Sequence, residues 1–225
     1  MSVSGEEWGI VLLSLQVGGA AMLGALPVAF ALAWVLARCD FAGKIVLDAM
    51  VHLPLVVPPV VTGWLLLLAF APGGVLGMIG DAVLFRWTGA AIAAGVMALP
   101  LMVRAIRLSI ETVDPRLENA ARTLGAGRWR VFASVVLPLS IPGIAAGVIL
   151  GFARALGEFG ATITFVANVP GETQTLPLAI YGALQTPGGE TTVARLAAVS
   201  VALSLGSLIA SELLVRRTAR GRHAL

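Results

Sequence analysis

Two oppositely charged residues stand inside an apolar stretch of this chain. Arg154 and Glu158 lie four residues apart in the sequence FARALGEFGAT. On an α-helix this spacing places both side chains on one face, where they can pair. Charges inside a membrane-spanning helix often mark a transport route or gate. The alternative is a structural pair that holds this helix to a neighbour, and an arginine neutralised by its own glutamate favours that alternative.

The thiol and imidazole side chains are too few to build a catalytic or metal site. Cys39 is the single cysteine, so it can form neither an intrachain disulfide nor a thiolate-rich metal site. His52 and His223 are equally isolated and are expected to be packing or interface residues. Neither H-E-x-x-H nor G-x-S-x-G occurs, which leaves a membrane enzyme without support. We expect no catalytic residue, no metal and no cofactor in this chain.

The single lysine does not belong to a nucleotide site. A phosphate-binding loop follows the pattern G-x-x-x-x-G-K-[ST], whose backbone amides and lysine hold the phosphates. Lys44 lies in DFAGKIV, where Arg38 occupies the position of the first glycine and Ile45 that of the hydroxyl residue. The chain therefore cannot hydrolyse ATP by this route. Energy for any transport must come from an ATPase subunit in trans or from an ion gradient.

The composition identifies the elements that must position these residues. The 225 residues are 58% hydrophobic and 12% charged, which is too apolar for a soluble domain. A helix needs about 20 apolar residues to cross the hydrocarbon. We predict an all-α membrane protein, a helical bundle formed by a single domain over residues 1–225. Its five predicted spans are 10–36, 53–70, 89–106, 139–160 and 193–215.

The basic residues predict the orientation of this bundle. Arginine and lysine concentrate on the cytoplasmic side of membrane proteins. They follow the first, third and fifth spans, as Arg38 and Lys44, six arginines within 104–130, and Arg216, Arg217, Arg220 and Arg222. The amino terminus is thus expected outside and the carboxy terminus in the cytoplasm. Because these residues border apolar spans, topology explains the pI near 10.0 without nucleic-acid binding. The first span lacks a basic n-region and a cleavage site, so we expect it to be retained.

A polar insert at 108–137 separates the third and fourth spans, and its pattern predicts helix, turn, helix. Asp114 and Pro115 form a typical helix start, and Gly125 a typical stop. Between them Leu117, Ala120, Ala121 and Leu124 form an apolar stripe, with Arg116, Glu118, Asn119, Arg122 and Thr123 opposite. Such a stripe either enters a groove on a partner or packs back on the bundle of its own chain.

The insert resembles the EAA signature of ABC importer permeases, in which Glu-Ala-Ala precedes a glycine and a distal Leu-Pro. The corresponding residues are Asn119-Ala120-Ala121, Gly125 and Leu137-Pro138. The sequence departs from the signature at its glutamate, since Asn119 occupies that position and Glu118 precedes it. The resemblance implies that a cytoplasmic ATPase subunit docks on this insert. The implied coupling residues are Leu117, Glu118, Asn119, Ala120, Ala121, Arg122, Leu124 and Gly125.

The loop after the fourth span, residues 161–192, narrows the resemblance to one group of these permeases. Its apolar segment Leu176–Leu184 is too short to span and is predicted to be a re-entrant or surface helix between glycine- and proline-rich turns. The run RALGEFGATITFVANVPGETQTLPLAIYGALQTPGGE resembles molybdate permeases closely. Sulfate and thiosulfate permeases share an RALGEFG-like run but resemble the loop less well.

The resemblance implies a permease of the bacterial inner membrane. It would work as a homodimer with two copies of the ATPase, which uses the ATP, and with a periplasmic molybdate-binding protein. Import would proceed by alternating access. A sulfate, thiosulfate or tungstate importer of the same construction is the nearest alternative. An ion-coupled secondary transporter is an alternative of another class, but it predicts carboxylates near the membrane midplane, whereas the acids here cluster at ends and loops.

Overall fold

The computed structural model describes residues 4–222, leaving aside the side chains of 211 and 214–222. This described part contains helices and connections but no strand, so the predicted all-α membrane fold is confirmed. The helices are α1 Gly5–Arg38, α2 Lys44–Val56, α3 Pro59–Phe70, α4 Trp87–Glu111, α5 Pro115–Thr123, α6 Arg128–Val131, α7 Leu137–Leu156, α8 Gly160–Val166, α9 Leu176–Leu184 and α10 Glu190–Arg222. A 3-10 helix covers Gly77–Ala82 and a π-helical turn covers Phe132–Val136.

Four helical segments of the described chain are long and apolar enough to cross a membrane. They are α1, α4, the continuous helix Arg128–Leu156 and the part Glu190–Ala210 of α10. The number rises to five if α2 and α3 together count as one broken span. The first, third and fifth predicted spans fall on α1, α4 and α10.

The predicted second span, 53–70, is not one helix. It is divided between α2 and α3, whose axes meet at a bend of 114°. The break has a local cause, because Pro58 and Pro59 lack amide protons and a residue before proline avoids the helical conformation. Arg107 of α4 donates a hydrogen bond to Asp48 of α2 near the insert. In contrast, α3 packs on α8, the helix that follows the far end of α7.

The predicted fourth span, 139–160, also differs from the structure. Its helix begins earlier, at Arg128, because α6, the π turn and α7 join without interruption. It ends earlier too, at Leu156, and Gly157 to Phe159 lead into the separate helix α8. The π turn stands directly before Pro138, where the missing amide proton already disturbs the regular hydrogen-bond pattern.

The helix α4 forms the centre of the bundle, and small residues let its neighbours approach it. Gly143, Gly147 and Gly151 recur at every fourth position of α7. A side chain at Gly143 would overlap Ser109 of α4, and one at Gly151 would come within 2.8 Å of Met102. On the other side Gly95 of α4 faces α1. Close packing of small residues is how helices associate in lipid, where the hydrophobic effect gives no net attraction between them.

The loop 161–192 contains α9 where a short helix was predicted, at Leu176–Leu184. Ser14 of α1 donates to the carbonyl of Ile10 and accepts from the amide of Leu176, each at 2.8 Å. The apolar face of α9 packs with Val11 and Leu196 of α1 and α10. The helix is therefore held against two spans rather than extended from the surface.

Candidate functional site

The helix α5 of the insert has the ends that its sequence predicts. The Oδ1 atom of Asp114 accepts from the amide of Arg116 at 2.8 Å, and Pro115 occupies the first turn. The helix ends at Thr123, and Gly125 follows with φ +84°, a left-handed conformation that glycine adopts without strain. A second helical segment, from Arg128, then leads directly into the membrane span.

The apolar stripe of α5 does not pack on the bundle of its own chain. Leu117 is 49% exposed and Leu124 is 88% exposed. Ala120 between them is exposed as well, and Ala121 is half-buried. Two large exposed leucines with a small residue between them form a surface that fits an apolar groove. Of the two interpretations of the stripe, the structure favours a partner.

Glu118 lies on the side of α5 opposite the apolar stripe, and this side packs on the bundle. The structure buries Glu118 to 7% exposure beneath α5. Its Oε1 atom lies 2.7 Å from Nη2 of Arg38, and its Oε2 atom accepts from Arg122 at 3.4 Å. A buried carboxylate is stable only when it is paired, so Arg38 is its main partner and the exposed Arg122 a weaker one.

Arg38 joins three helices at this point. It is the last residue of α1, and its Nη2 atom also donates to the carbonyl of Ile110, near the end of α4, at 3.3 Å. Its guanidinium lies over the ring of Trp34, 5.8 Å from the centroid. Through Glu118, the same guanidinium reaches α5. The insert helix is thus fixed to the two central spans by one charged group while its apolar stripe faces outward.

The remaining predicted coupling residues lie near the stripe, and among them Arg122 also bonds Glu118. Asn119 is exposed, and its Oδ1 atom accepts from Arg122 at 3.4 Å. Arg128, Trp129 and Arg130, which begin the next helix, are exposed beside it. Asn119, at the glutamate position of the signature, therefore faces away from the bundle, and Glu118 is the carboxylate that faces it.

Arg154 and Glu158 form the predicted pair, with Nη2 and Oε2 2.7 Å apart. They do not share one helix, because α7 ends at Leu156 and Glu158 lies in the connection to α8. Glu158 is 2% exposed, and its Oε1 atom accepts from the amide of Ala161 at 2.8 Å. The carboxylate therefore both neutralises Arg154 and caps the first turn of α8.

The isolated residues occupy separate places. Lys44 donates to Asp40 at 2.9 Å, and this hydrogen bond lowers the pKa of the Asp40 carboxyl. Cys39 is exposed at the end of α1, and Nδ1 of His52 lies 2.8 Å from the carbonyl of Asp48. His223 lies outside the described residues. Within the described residues, no three His, Cys, Asp or Glu side chains come together as a possible metal site.

Sequence reasoning missed two ion pairs at opposite ends of α1. The sequence indicates for Arg38 only the side of the membrane on which it lies, whereas in the structure Arg38 pairs with Glu118. At the other end, Arg195 of α10 donates from Nη2 to Glu7 at 2.7 Å. Each pair joins residues at least 80 positions apart in the chain, so no local pattern could reveal them. The sequence feature that could have indicated these pairs is a charged residue at the end of an apolar span.

Residues 25–220 match the family described as "Binding-protein-dependent transport system inner membrane component". The molybdenum transport system permease protein ModB of Escherichia coli K12 is 56% identical over 221 residues, which cover 96% of each chain. The sulfate transport system permease protein CysT of the same strain is 39% identical over 158 residues, 68% of this chain and 57% of that protein.

A solved structure shows the same fold. It is the bacterial alginate ABC transporter in complex with an alginate pentasaccharide-bound periplasmic protein. One chain of it aligns at a TM-score of 0.73 with 17% identity, covering 95% of this chain and 80% of the other. The family match extends over most of the sequence, and the alignment with ModB covers 96% of that relative. This multi-pass inner-membrane chain belongs to the family of binding-protein-dependent transport system inner membrane components.

Proposed function

We propose that the chain is the membrane subunit of an ATP-driven importer of molybdate. The single observation that carries the coupling mechanism is the helix α5, whose apolar stripe is exposed while Glu118 fixes its other side to Arg38. A partner bound to the exposed face of such a helix can displace it, and the pair of Glu118 and Arg38 transmits this displacement to the spans. A secondary transporter does not require a surface that binds an ATPase.

The proposed partner on α5 is a separate ATPase subunit. Leu117 and Leu124 would enter its groove, Ala120 would allow close approach, and Arg122, Arg128 and Arg130 would meet acidic residues at the rim. ATP is bound and hydrolysed there, and this chain supplies no cofactor site. By the distribution of arginine, α5 faces the cytoplasm and the amino terminus faces the periplasm.

The proposed assembly contains two copies of this chain, two ATPase subunits and a periplasmic binding protein. ATP binding closes the ATPase subunits, moves both α5 helices and opens the route outward to the docked binding protein. Hydrolysis returns the route to the inward-open state. Because the coupling is reciprocal, docking of the loaded binding protein must favour the ATP-closed state to the same degree.

Molybdate is the proposed cargo because the similarity to the molybdenum permease extends over nearly the whole of both chains. The sulfate permease is more distant and matches a smaller part of the chain. Sulfate, thiosulfate and tungstate are related oxyanions, and a sulfate importer is the second candidate.

We assign Arg154 and Glu158 a structural role within this function. Both acceptor oxygens of Glu158 are in use, one by Arg154 and one by the amide of Ala161. The pair leaves no unneutralised charge toward a passing anion. It fixes the turn between α7 and α8 and thereby the surface of the outer loop.

The test is uptake into proteoliposomes that contain this chain with its ATPase and binding protein. We expect uptake of labelled molybdate that requires ATP, with sulfate a poor competitor. Uptake that is independent of ATP would contradict the ABC mechanism. Faster uptake of sulfate than of molybdate would instead assign the chain to the second candidate.

A further inference from the structure

A polar cavity lies between α2 and α4 on the insert side of the bundle. Its volume is about 420 Å³. Since a water molecule occupies about 30 Å³ of liquid, the space holds a small ion with part of its hydration shell. The lining residues are Asp48, His52, Arg104, Arg107, Leu108 and Glu111.

Most charges in this cavity neutralise one another. Arg107 donates from Nε to Glu111 at 2.7 Å and from Nη1 to Asp48 at 3.1 Å. His52 lies on the same side of α2, with Nδ1 2.8 Å from the Asp48 carbonyl and 3.4 Å from Oδ1. Both carboxylates therefore share one cation, Arg107, and the two arginines of the lining balance its two carboxylates.

Arg104 is the exception in this charge balance. It lies one helical turn before Arg107 and Leu108 on the same face of α4, and its side chain is exposed. It forms no hydrogen bond or ion pair with any other residue that the structure describes. The opposite face of α4 is the buried core, including Met102, Val103 and Ile106. The helix thus presents one unpaired guanidinium to the cavity.

The depth of Arg104 within α4 indicates what its exposed side chain faces. It is seven residues from the end of α4 at Glu111, which is about 10 Å at ~1.5 Å per residue. A charge at that depth usually faces a polar cavity or another charge rather than lipid chains. The wall opposite, α2, directs Asp48 toward α4, while its Ile45 and Met50 are exposed apolar side chains. The cavity is therefore lined by charged or polar residues from both helices, together with the apolar Leu108.

We propose that this cavity is a transient site for an oxyanion at the insert-side mouth of the translocation route. Arg104 supplies both the charge and the N–H donors for the oxygens of the anion. The proposal rests on the proposed function for the identity of the cargo, a tetrahedral dianion. Asp48 and Glu111 repel the same anion, so binding is weak. Weak binding suits a passage site, because an ion must leave the site as readily as it enters.

A lipid headgroup phosphate has the same chemistry as the cargo, so the experiment must separate the two sources. The assembled complex with its ATPase is prepared in nanodiscs of phosphatidylcholine alone or with phosphatidylglycerol. The chain carries Leu108→Cys in a Cys39→Ala background. We measure the rate of labelling by a negatively charged methanethiosulfonate reagent.

In phosphatidylcholine we expect millimolar molybdate to slow this labelling several-fold, whereas chloride at equal ionic strength does not. Adding Arg104→Gln should abolish the protection, and Arg104→Lys should retain most of it. Protection that appears only with phosphatidylglycerol would overturn the proposal in favour of a lipid site. Equal labelling with and without molybdate in both lipids would overturn it as well.

Transport provides a second readout. Arg104→Gln should lower the ATP-dependent molybdate uptake of the full importer several-fold at unchanged ATPase binding, while Arg104→Lys stays within about twofold of the wild type. Unchanged uptake in Arg104→Gln, with normal uptake by the wild type, would refute the cavity proposal alone. Absence of ATP-dependent uptake in the wild type would instead refute the proposed function.

Discussion

Arg38 and Glu118 connect the end of the first span to the helix of the insert through an ion pair of 2.7 Å between Nη2 and Oε1. Glu118 is buried, whereas the apolar stripe on the other side of the same short helix is exposed. The helix therefore has an attached face and a free face. Under the proposed function, a force on the free face would reach α1 through this pair, and α4 through the hydrogen bond of Arg38 to Ile110.

The free face predicts a specific loss of ATPase binding. Leu124→Ala should weaken the affinity for the ATPase subunit by about tenfold to fiftyfold, since it removes three carbon groups at up to about 0.8 kcal/mol each and 1.4 kcal/mol is a factor of ten. The fold should not change, because Leu124 is 88% exposed. The affinity is measured by titrating the purified ATPase into the permease in nanodiscs.

Thr123→Ala is the matched control for that substitution. Thr123 is exposed one position away, and its hydroxyl donates within the helix, to the carbonyl of Ala120. The control should leave the affinity within about twofold. Equal losses in both variants would place the docking surface elsewhere.

The glycines of α7 predict where the bundle tolerates no side chain. Gly143→Ala should destabilise the chain by about 1–3 kcal/mol, the usual effect of overpacking, because the new Cβ would overlap Ser109. Gly206→Ala in α10 is the control, since no atom lies within 4 Å of its added Cβ. Thermal stability in detergent, followed by size-exclusion chromatography, measures both.

Ser109→Gly gives this prediction a rescue test. Removing the Ser109 side chain takes away the two atoms nearest to the new methyl group, although the carbonyl oxygen of Ala105 stays 3.1 Å from it. Because a glycine also weakens α4, the double variant Gly143→Ala/Ser109→Gly should regain part of the lost stability. A double variant as unstable as Gly143→Ala would mean that the two helices do not meet at these residues.

The pair of Arg154 and Glu158 predicts a defect in folding rather than in transport. Glu158→Ala leaves the amide of Ala161 and the guanidinium of Arg154 without their acceptor, a loss of about 1–3 kcal/mol for each buried group. Glu158→Gln retains an oxygen for the amide and should lose less stability. Uptake per folded transporter should remain near the wild-type value in Glu158→Gln. A stable Glu158→Gln protein that binds its ATPase but transports no molybdate would show that the pair belongs to the route.

The sequence predicts the helical class, the insert and the short helix α9 because each depends on local patterns of hydropathy, capping residues and turns. It does not predict the bend between α2 and α3, since two apolar segments joined by prolines have the same composition as one span. It also does not predict the burial of Glu118 or its pairing with Arg38. Helical periodicity defines which residues oppose the apolar stripe, but only the tertiary structure shows that this opposite face lies over Arg38.

The Arg38–Glu118 connection itself can be tested by charge reversal. Glu118→Arg leaves two cations together and should separate α5 from α1, whereas adding Arg38→Glu restores an opposite pair and should recover part of the function. The recovery will be partial, because the Arg38 hydrogen bond to Ile110 is lost and the new arginine stands four residues from Arg122. Recovery distinguishes the pair from a general defect in folding.

The number of molybdate ions imported per ATP hydrolysed tests the central claim most directly. It is measured in proteoliposomes with the ATPase and binding protein, for the wild type, Glu118→Arg and the double variant Arg38→Glu/Glu118→Arg. We predict that Glu118→Arg still binds the ATPase and hydrolyses ATP but imports several-fold fewer ions per ATP, and that the double variant partly restores the ratio. A ratio in Glu118→Arg equal to that of the wild type would contradict coupling through the anchored insert.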